Sequence, residues 1–389
     1  MHNCHLLCFT MAIHLKTLGL KLAKYRTQLD ETIEVAGLAT GIDPARLRQI
    51  EAGVTEPSGD EVLILADHFK CDYKFFISND NVAPFEQTDT LYRSASAEFT
   101  SEDKHAIQEF LYLCDTEAFL IGALGKARPV FELSRLAGGA LPTPAVAAAQ
   151  ARVACGQGNP IELADIYGAA RALGIRVFRR KLGNSNISGI FVMHPVAGKC
   201  ILVNSSEDIY RQRFSAAHEL AHALLDADQA ARVSLKSVRG DDRETRANKF
   251  ASNFLLPKAL LEKLPAPRRW SESDAEAWAN KLKVSCLVLA YALKSVKIIT
   301  AAQCDTMVGY RVSRERKVDP ELPPNLTGAQ LERKSRLLDL GLSNFYVDAC
   351  FDAFQDHQIS LGRLCEALLC SPSEMAELST LYGRAIHGN

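Results

Sequence analysis

Apolar and polar positions alternate along this chain with a helical period, then briefly with a strand period, then with a helical period again. Over residues 17–78 apolar side chains recur at helical spacing in LGLKLAKYRTQL, TIEVAGLATG, IDPARLRQIEAG and SGDEVLILADHFK, which predicts a run of short helices. Asp43 is a candidate N-cap with Pro44 at the first helical position, and Gly53 a candidate C-cap. A polar, turn-rich stretch at 79–100 reads as a linker. Residues 101–127 read as helix, and 128–160, rich in Ala, Gly and Pro, as mixed helix and loop.

The period changes after a helix expected at 160–172. IRVFRRKL, ISGIFVMH and KCILVN alternate as strands do, and are expected to be antiparallel, joined by turns at Gly183–Asn184 and Ala197–Gly198. Two long helices follow, about 207–227 and 241–256, with Pro257 ending the second; helices continue through 258–294. The break DPELPPN (319–325) precedes a last helical section, 327–386. There ISLGRLCEALLCSPSEMAEL reads as a second helix–turn–helix or, preferably, as core helices of a sensing or oligomerisation module. The expected fold class is mainly α with a small β-sheet, an α+β chain. Its expected parts are an all-helical domain at 17–78, a helical linker region at 79–159, an α+β domain at 160–295 and a helical region at 296–389.

Composition narrows the classes. A chain of 389 residues exceeds one ordinary core. With a net charge of -1 it is no polycation, so nucleic-acid contact requires a local basic face. No run of about twenty apolar residues occurs, so no membrane contact is expected. The N-terminus lacks a secretory pattern, so a cytoplasmic location is expected. The eleven cysteines form no CxxC pair and read as reduced, mostly buried thiols, with Cys200, Cys304, Cys350, Cys365 and Cys370 as alternative redox sensors. His2, Cys4, His5 and Cys8 are a secondary metal candidate.

The chemistry concentrates in FSAAHELAHALLD. His218 and His222 are four positions apart, so on a helix both imidazoles share one face and can converge on one Zn²⁺. Glu219 lies about 100° round the helix, too far to ligate with them, and suits a general base acting on water. Ala216, Ala217, Leu220, Ala221, Leu224 and Leu225 make this helix apolar nearly all round, so these polar groups are expected to be buried and to need partners. The following helix, RETRANKFASNFLLP, offers Glu244 as the third ligand and Asn248, one turn on, as a hydrogen-bond partner of a ligand. The alternative for Glu244 is a solvated carboxylate near a helix N-terminus.

RQRFSAAHELAHALL followed by ETRANKFASNFLLP, with the ISGIF and ILVN strands before them, resembles the ImmA/IrrE family of metallo-endopeptidases over roughly residues 160–295. The chain departs from the family pattern at Ala221, where relatives often have Gly, and at Asp226, where relatives often have His; neither removes a ligand. The resemblance implies a zincin-like minimal gluzincin domain with zinc as cofactor. It also implies limited proteolysis of a repressor-like protein substrate, which would switch on a stress, prophage or defence response. For the donor that stabilises the transition state, Tyr210, Arg211 and Arg213 are near in sequence, and each reads better as structural.

TIEVAGLATGIDPARLRQIEAGVTEPS resembles helix–turn–helix domains of the XRE/Cro/C1 type. The resemblance implies that Ala45, Arg46 and Gln49 face the major groove of a double-stranded DNA operator, with Arg48 near the edge. Thr32, with Lys21, Lys24 and Arg26, would meet phosphate. A homodimer on a two-fold site is expected. Acidic neighbours such as Asp43, Glu51 and Glu61 keep a protein-interaction domain open. For the whole chain the rival reading is an antitoxin-like DNA-binding regulator whose peptidase fold senses or scaffolds.

Overall fold

A computed structural model describes residues 13–79, 99–158, 161–226, 231–235, 241–264 and 270–386. The His2, Cys4, His5 and Cys8 cluster and most of the 79–100 stretch lie outside the described residues.

The N-terminal domain is built from α1 (Leu15–Gln28), α2 (Ile33–Thr40), α3 (Pro44–Glu51), α4 (Gly59–His68) and α5 (Tyr73–Ile77). Asp43 caps α3 by accepting the Arg46 N–H, with Pro44 in the first turn. Gly41 ends α2 in the left-handed conformation, φ 70°, that the tight turn requires. Leu18, Leu22, Leu47, Ile50, Leu65 and Phe76 form its own core.

Four strands form one sheet: β1 (Arg176–Arg180), β2 (Ile187–His194), β3 (Gly198–Asn204) and β4 (Ala231–Leu235), in the order β1-β3-β2-β4. The β2–β3 hairpin is antiparallel as expected. The expectation of antiparallel pairing for β1 is overturned: β1 runs parallel to β3 and does not touch β2. The stretch after β1 is not a tight hairpin turn. Leu182 N–H is accepted by Asn204 Oδ1, and the Gly183 N–H by the Asp103 carboxylate. These anchors carry the chain past β3, so that it enters on that strand's far side. β1 is buried at every position, as a strand covered on both faces must be.

The sheet separates two cores. Val177, Phe191, Ile201 and Val203 face one core, shared with α6 (Pro144–Ala154), α7 (Ile166–Ala172), α8 (Ile209–Leu225), α9 (Asp242–Leu255) and later helices as far as Val312. Phe178, Ile190, Val192, Cys200 and Leu202 face the other, shared with the long helix at Ser101–Ala123 and with Tyr346, Phe351, Leu364 and Leu378 of the C-terminal helices. The 319–325 break is pinned between them: Arg179 on β1 meets Asp319 at 2.6 Å. No helix among the described residues is long and apolar enough to cross a membrane.

Candidate metal centre

Helix α8 starts at Asp208, whose side chain accepts the Tyr210 N–H, and its apolar sides are buried between the sheet and α9. That burial takes its polar positions inside as well. Glu219 and His222 are fully buried, and His218 nearly so. Glu244, in the first turn of α9, faces them.

The two Nε2 atoms lie 3.1 Å apart. Glu244 Oε2 is 3.0 Å from His218 Nε2, and Oε1 is 3.4 Å from His222 Nε2. One ligand atom from each residue falls within 4.8 Å of the others. The outer ring nitrogens are already engaged. His218 Nδ1 meets Asn248 Oδ1 at 3.0 Å, and His222 Nδ1 meets Asp226 Oδ2 at 2.7 Å. With both Nδ1–H groups donating outward, each ring turns its Nε2 to the centre, where it can either share a proton with Glu244 or give its lone pair to a cation lying between the three groups.

The electrostatics agree. Four carboxylates, Glu219, Glu244, Asp226 and Asp241, gather here with three guanidiniums, Arg232, Arg243 and Arg246. The carboxylates outnumber the guanidiniums by one, an imbalance that favours a cation at the centre. Burial alone would raise Glu244, but hydrogen bonds from His218, His222 and Arg232 hold it well below the usual carboxylate range. Burial alone would lower His222; Asp226 and Glu244 outweigh it and raise the ring to about 9. Two imidazoles and one carboxylate are the donor set that zinc takes in open, catalytic sites.

Glu219 is placed beside this centre and apart from its ligands. Among the described residues no group lies in hydrogen-bonding geometry with its two buried carboxylate oxygens. Burial pushes its carboxyl pKa up, against the pull of the two imidazoles. It fits only because β2 passes it with a glycine: a Cβ at Gly189 would stand 2.7 Å from Glu219 Cγ and Oε1.

Residues 170–294 match the family model for the IrrE N-terminal-like domain, and residues 22–76 match that for the helix-turn-helix. Metallopeptidase ImmA of Bacillus subtilis (strain 168) is 30% identical over 144 residues, which cover 78% of that protein and 36% of this chain. The chain belongs to the ImmA/IrrE family of metallopeptidases. It joins that peptidase domain to a helix–turn–helix domain.

Within this ImmA/IrrE-type centre several residues escaped the sequence reading. β4 was not foreseen, because ARVSL is five residues long and half polar. Its alternation turns Ala231, Val233 and Leu235 to the C-terminal core. Arg232 turns to Glu244, with Nε and Nη2 at 2.9 and 2.8 Å from Oε1. Asp226 carried a readable signal: it lies four positions after His222, the same helical spacing that relates the two histidines. The nearby Tyr210, Arg211 and Arg213 are structural. Tyr210 Oη donates to Asn280 Oδ1 at 2.6 Å, Arg211 pairs with Glu207, and Arg213 donates to the carbonyls of Leu163, Ala164 and Lys283.

In the helix–turn–helix, Ala45, Arg48 and Gln49 are exposed on α3, and Thr32 is exposed as the N-cap of α2. Arg46 is half-buried, and its Nε and Nη2 each lie 2.9 Å from a Glu61 carboxylate oxygen. Arg48 meets Glu34 at 3.1 Å on the surface. The expectation that Lys21 and Arg26 meet phosphate is overturned. Lys21 is buried and its Nζ donates to the Phe75 and Ser78 carbonyls, closing the C-terminal end of α5; Arg26 is paired with Glu51. Residues 13–79 hold eight Lys and Arg against ten Asp and Glu.

Proposed function

We propose that this chain is a zinc-dependent endopeptidase that cleaves a transcriptional repressor or similar partner and so switches on a stress, prophage or defence response. Its helix–turn–helix domain would bind a double-stranded DNA operator as a homodimer in the cytoplasm. The observation that carries the reading is the convergence of His218 Nε2, His222 Nε2 and Glu244 beside a buried glutamate that is not one of the ligands.

His218, His222 and Glu244 would hold the zinc, with Asn248 orienting His218. Zinc so held supplies a Lewis acid for polarising a carbonyl and activating water. Glu219 takes the proton of the attacking water at a carboxylate oxygen and delivers it to the leaving amine. Burial raises its pKa, which makes it a stronger proton acceptor than an exposed carboxylate. β4 is a terminal strand of the sheet, so its outer edge offers backbone groups to an extended segment of substrate. Recognition by strand addition selects a stretch that can be extended, which suits limited cleavage of one partner.

Co-expression with candidate repressors tests this. Wild type is expected to yield a cleaved fragment and to derepress a reporter, and Glu219→Gln to do neither. Derepression by Glu219→Gln equal to wild type would establish the rival reading, a regulator whose peptidase fold senses or scaffolds. A second reading of the N-terminal domain, as a protein-docking module, is favoured by the Arg46–Glu61 pair and by the excess of acidic residues.

A further inference from the structure

Asp226 closes α8 as its C-cap, one turn beyond His222, and is 2% exposed. Its Oδ2 accepts the His222 Nδ1–H, and its Oδ1 is bonded to Arg246, with Arg243 Nε 4.0 Å away. Arg246 stands on α9, two residues beyond Glu244. One buried carboxylate therefore touches both ligand-bearing helices.

This contact matters because an imidazole ligates only in one tautomer and one ring orientation. An acceptor at Nδ1 selects the tautomer that leaves Nε2 with its lone pair and holds the ring plane. Asn248 does this for His218, but an amide can present either its oxygen or its nitrogen. The Asp226 carboxylate presents acceptors only, and Arg246 fixes which oxygen is used.

We propose that Asp226 is the positioning residue for His222, and that Arg246 fastens it to α9 so that His222 and Glu244 are set relative to one another. The proposal rests on the zinc reading above. It extends that reading to the residue that holds the ligand in register.

The test is the zinc dissociation constant of the full chain, measured by competition with a chromophoric chelator, together with the absorption spectrum of the Co²⁺-substituted protein. Asp226→Ala is expected to weaken zinc 10–100-fold, the usual cost of losing such a partner, and to shift the Co²⁺ bands. Asp226→Asn keeps the shape but has one acceptor atom for two donors; with its oxygen on Arg246 its NH2 faces His222 Nδ1 and selects the other tautomer, so it should weaken zinc as Asp226→Ala does. Arg246→Met should weaken zinc several-fold. Zinc affinity of Asp226→Ala within twofold of wild type, with unchanged Co²⁺ bands, overturns the proposal. Should Asp226→Ala fail to fold, Arg246→Met decides alone, and an affinity equal to wild type overturns it. Wild type that binds no zinc overturns the metallopeptidase reading itself, which is a different result.

Discussion

At the scale of single residues the centre depends on side chains whose value lies in their neighbours. Gly189 has no chemistry, yet Glu219 occupies the space its side chain would take. Gly189→Ala must therefore move the carboxylate or bend β2. Overpacking of this kind costs about 1–3 kcal/mol. The variant is expected to unfold at lower temperature and to lose cleavage while still binding zinc, since no ligand is touched. Cleavage at the wild-type rate would show that Glu219 does not need its present position. On the function proposed above, Glu219→Gln removes the proton acceptor alone, and is expected to reduce cleavage of the partner by about 10²–10⁴-fold at unchanged zinc content. Loss of zinc in that variant would make Glu219 a ligand and end its role as base.

At the scale of elements, the β2–β3 turn carries a titratable support. His194 Nδ1 accepts the Ala197 N–H at 2.9 Å and the Val196 N–H at 3.2 Å, which requires a neutral ring. Burial, and then the charge of Arg176, lower its pKa to about 4. Between that value and about 6.5 the unfolded chain binds the proton more readily than the folded one. Stability is therefore complete above about pH 6.5 and declines as the pH falls towards 4, by at most about 3 kcal/mol. Urea unfolding of the metal-free chain across that window should show a shallower acid dependence in His194→Gln than in wild type, and equal slopes would remove His194 as the cause. The elements themselves were largely legible. Apolar spacing located α8 and α9, and with them His218, Glu219, His222 and Glu244, because a helix fixes which residues share a face. The partner of β1 was not legible, since alternation records which face is buried and says nothing of which strand lies alongside. Nor was β4, whose Arg232 and Ser234 read as loop polarity until the sheet shows what they face.

At the scale of the whole molecule, the helix–turn–helix and the peptidase body meet through charged contacts. Glu31 lies between His68 at 2.8 Å and His105 at 2.9 Å, and Lys104 is paired with Asp30. Both cations of α3 are paired, Arg46 with Glu61 and Arg48 with Glu34. Gel shifts with the chain's own upstream DNA at two salt concentrations are expected to show specific binding that weakens with salt. The double variant Arg48→Ala/Gln49→Ala should lose it; binding unchanged in that variant, or absent at low salt, assigns the domain to protein contact. The expectations about cleavage depend on the metal. The most direct measurement is elemental analysis of the purified chain and three variants. One zinc per chain is expected in wild type and in Glu219→Gln, and little in His218→Ala or Glu244→Ala. Equal zinc in wild type and in both ligand variants would contradict the account.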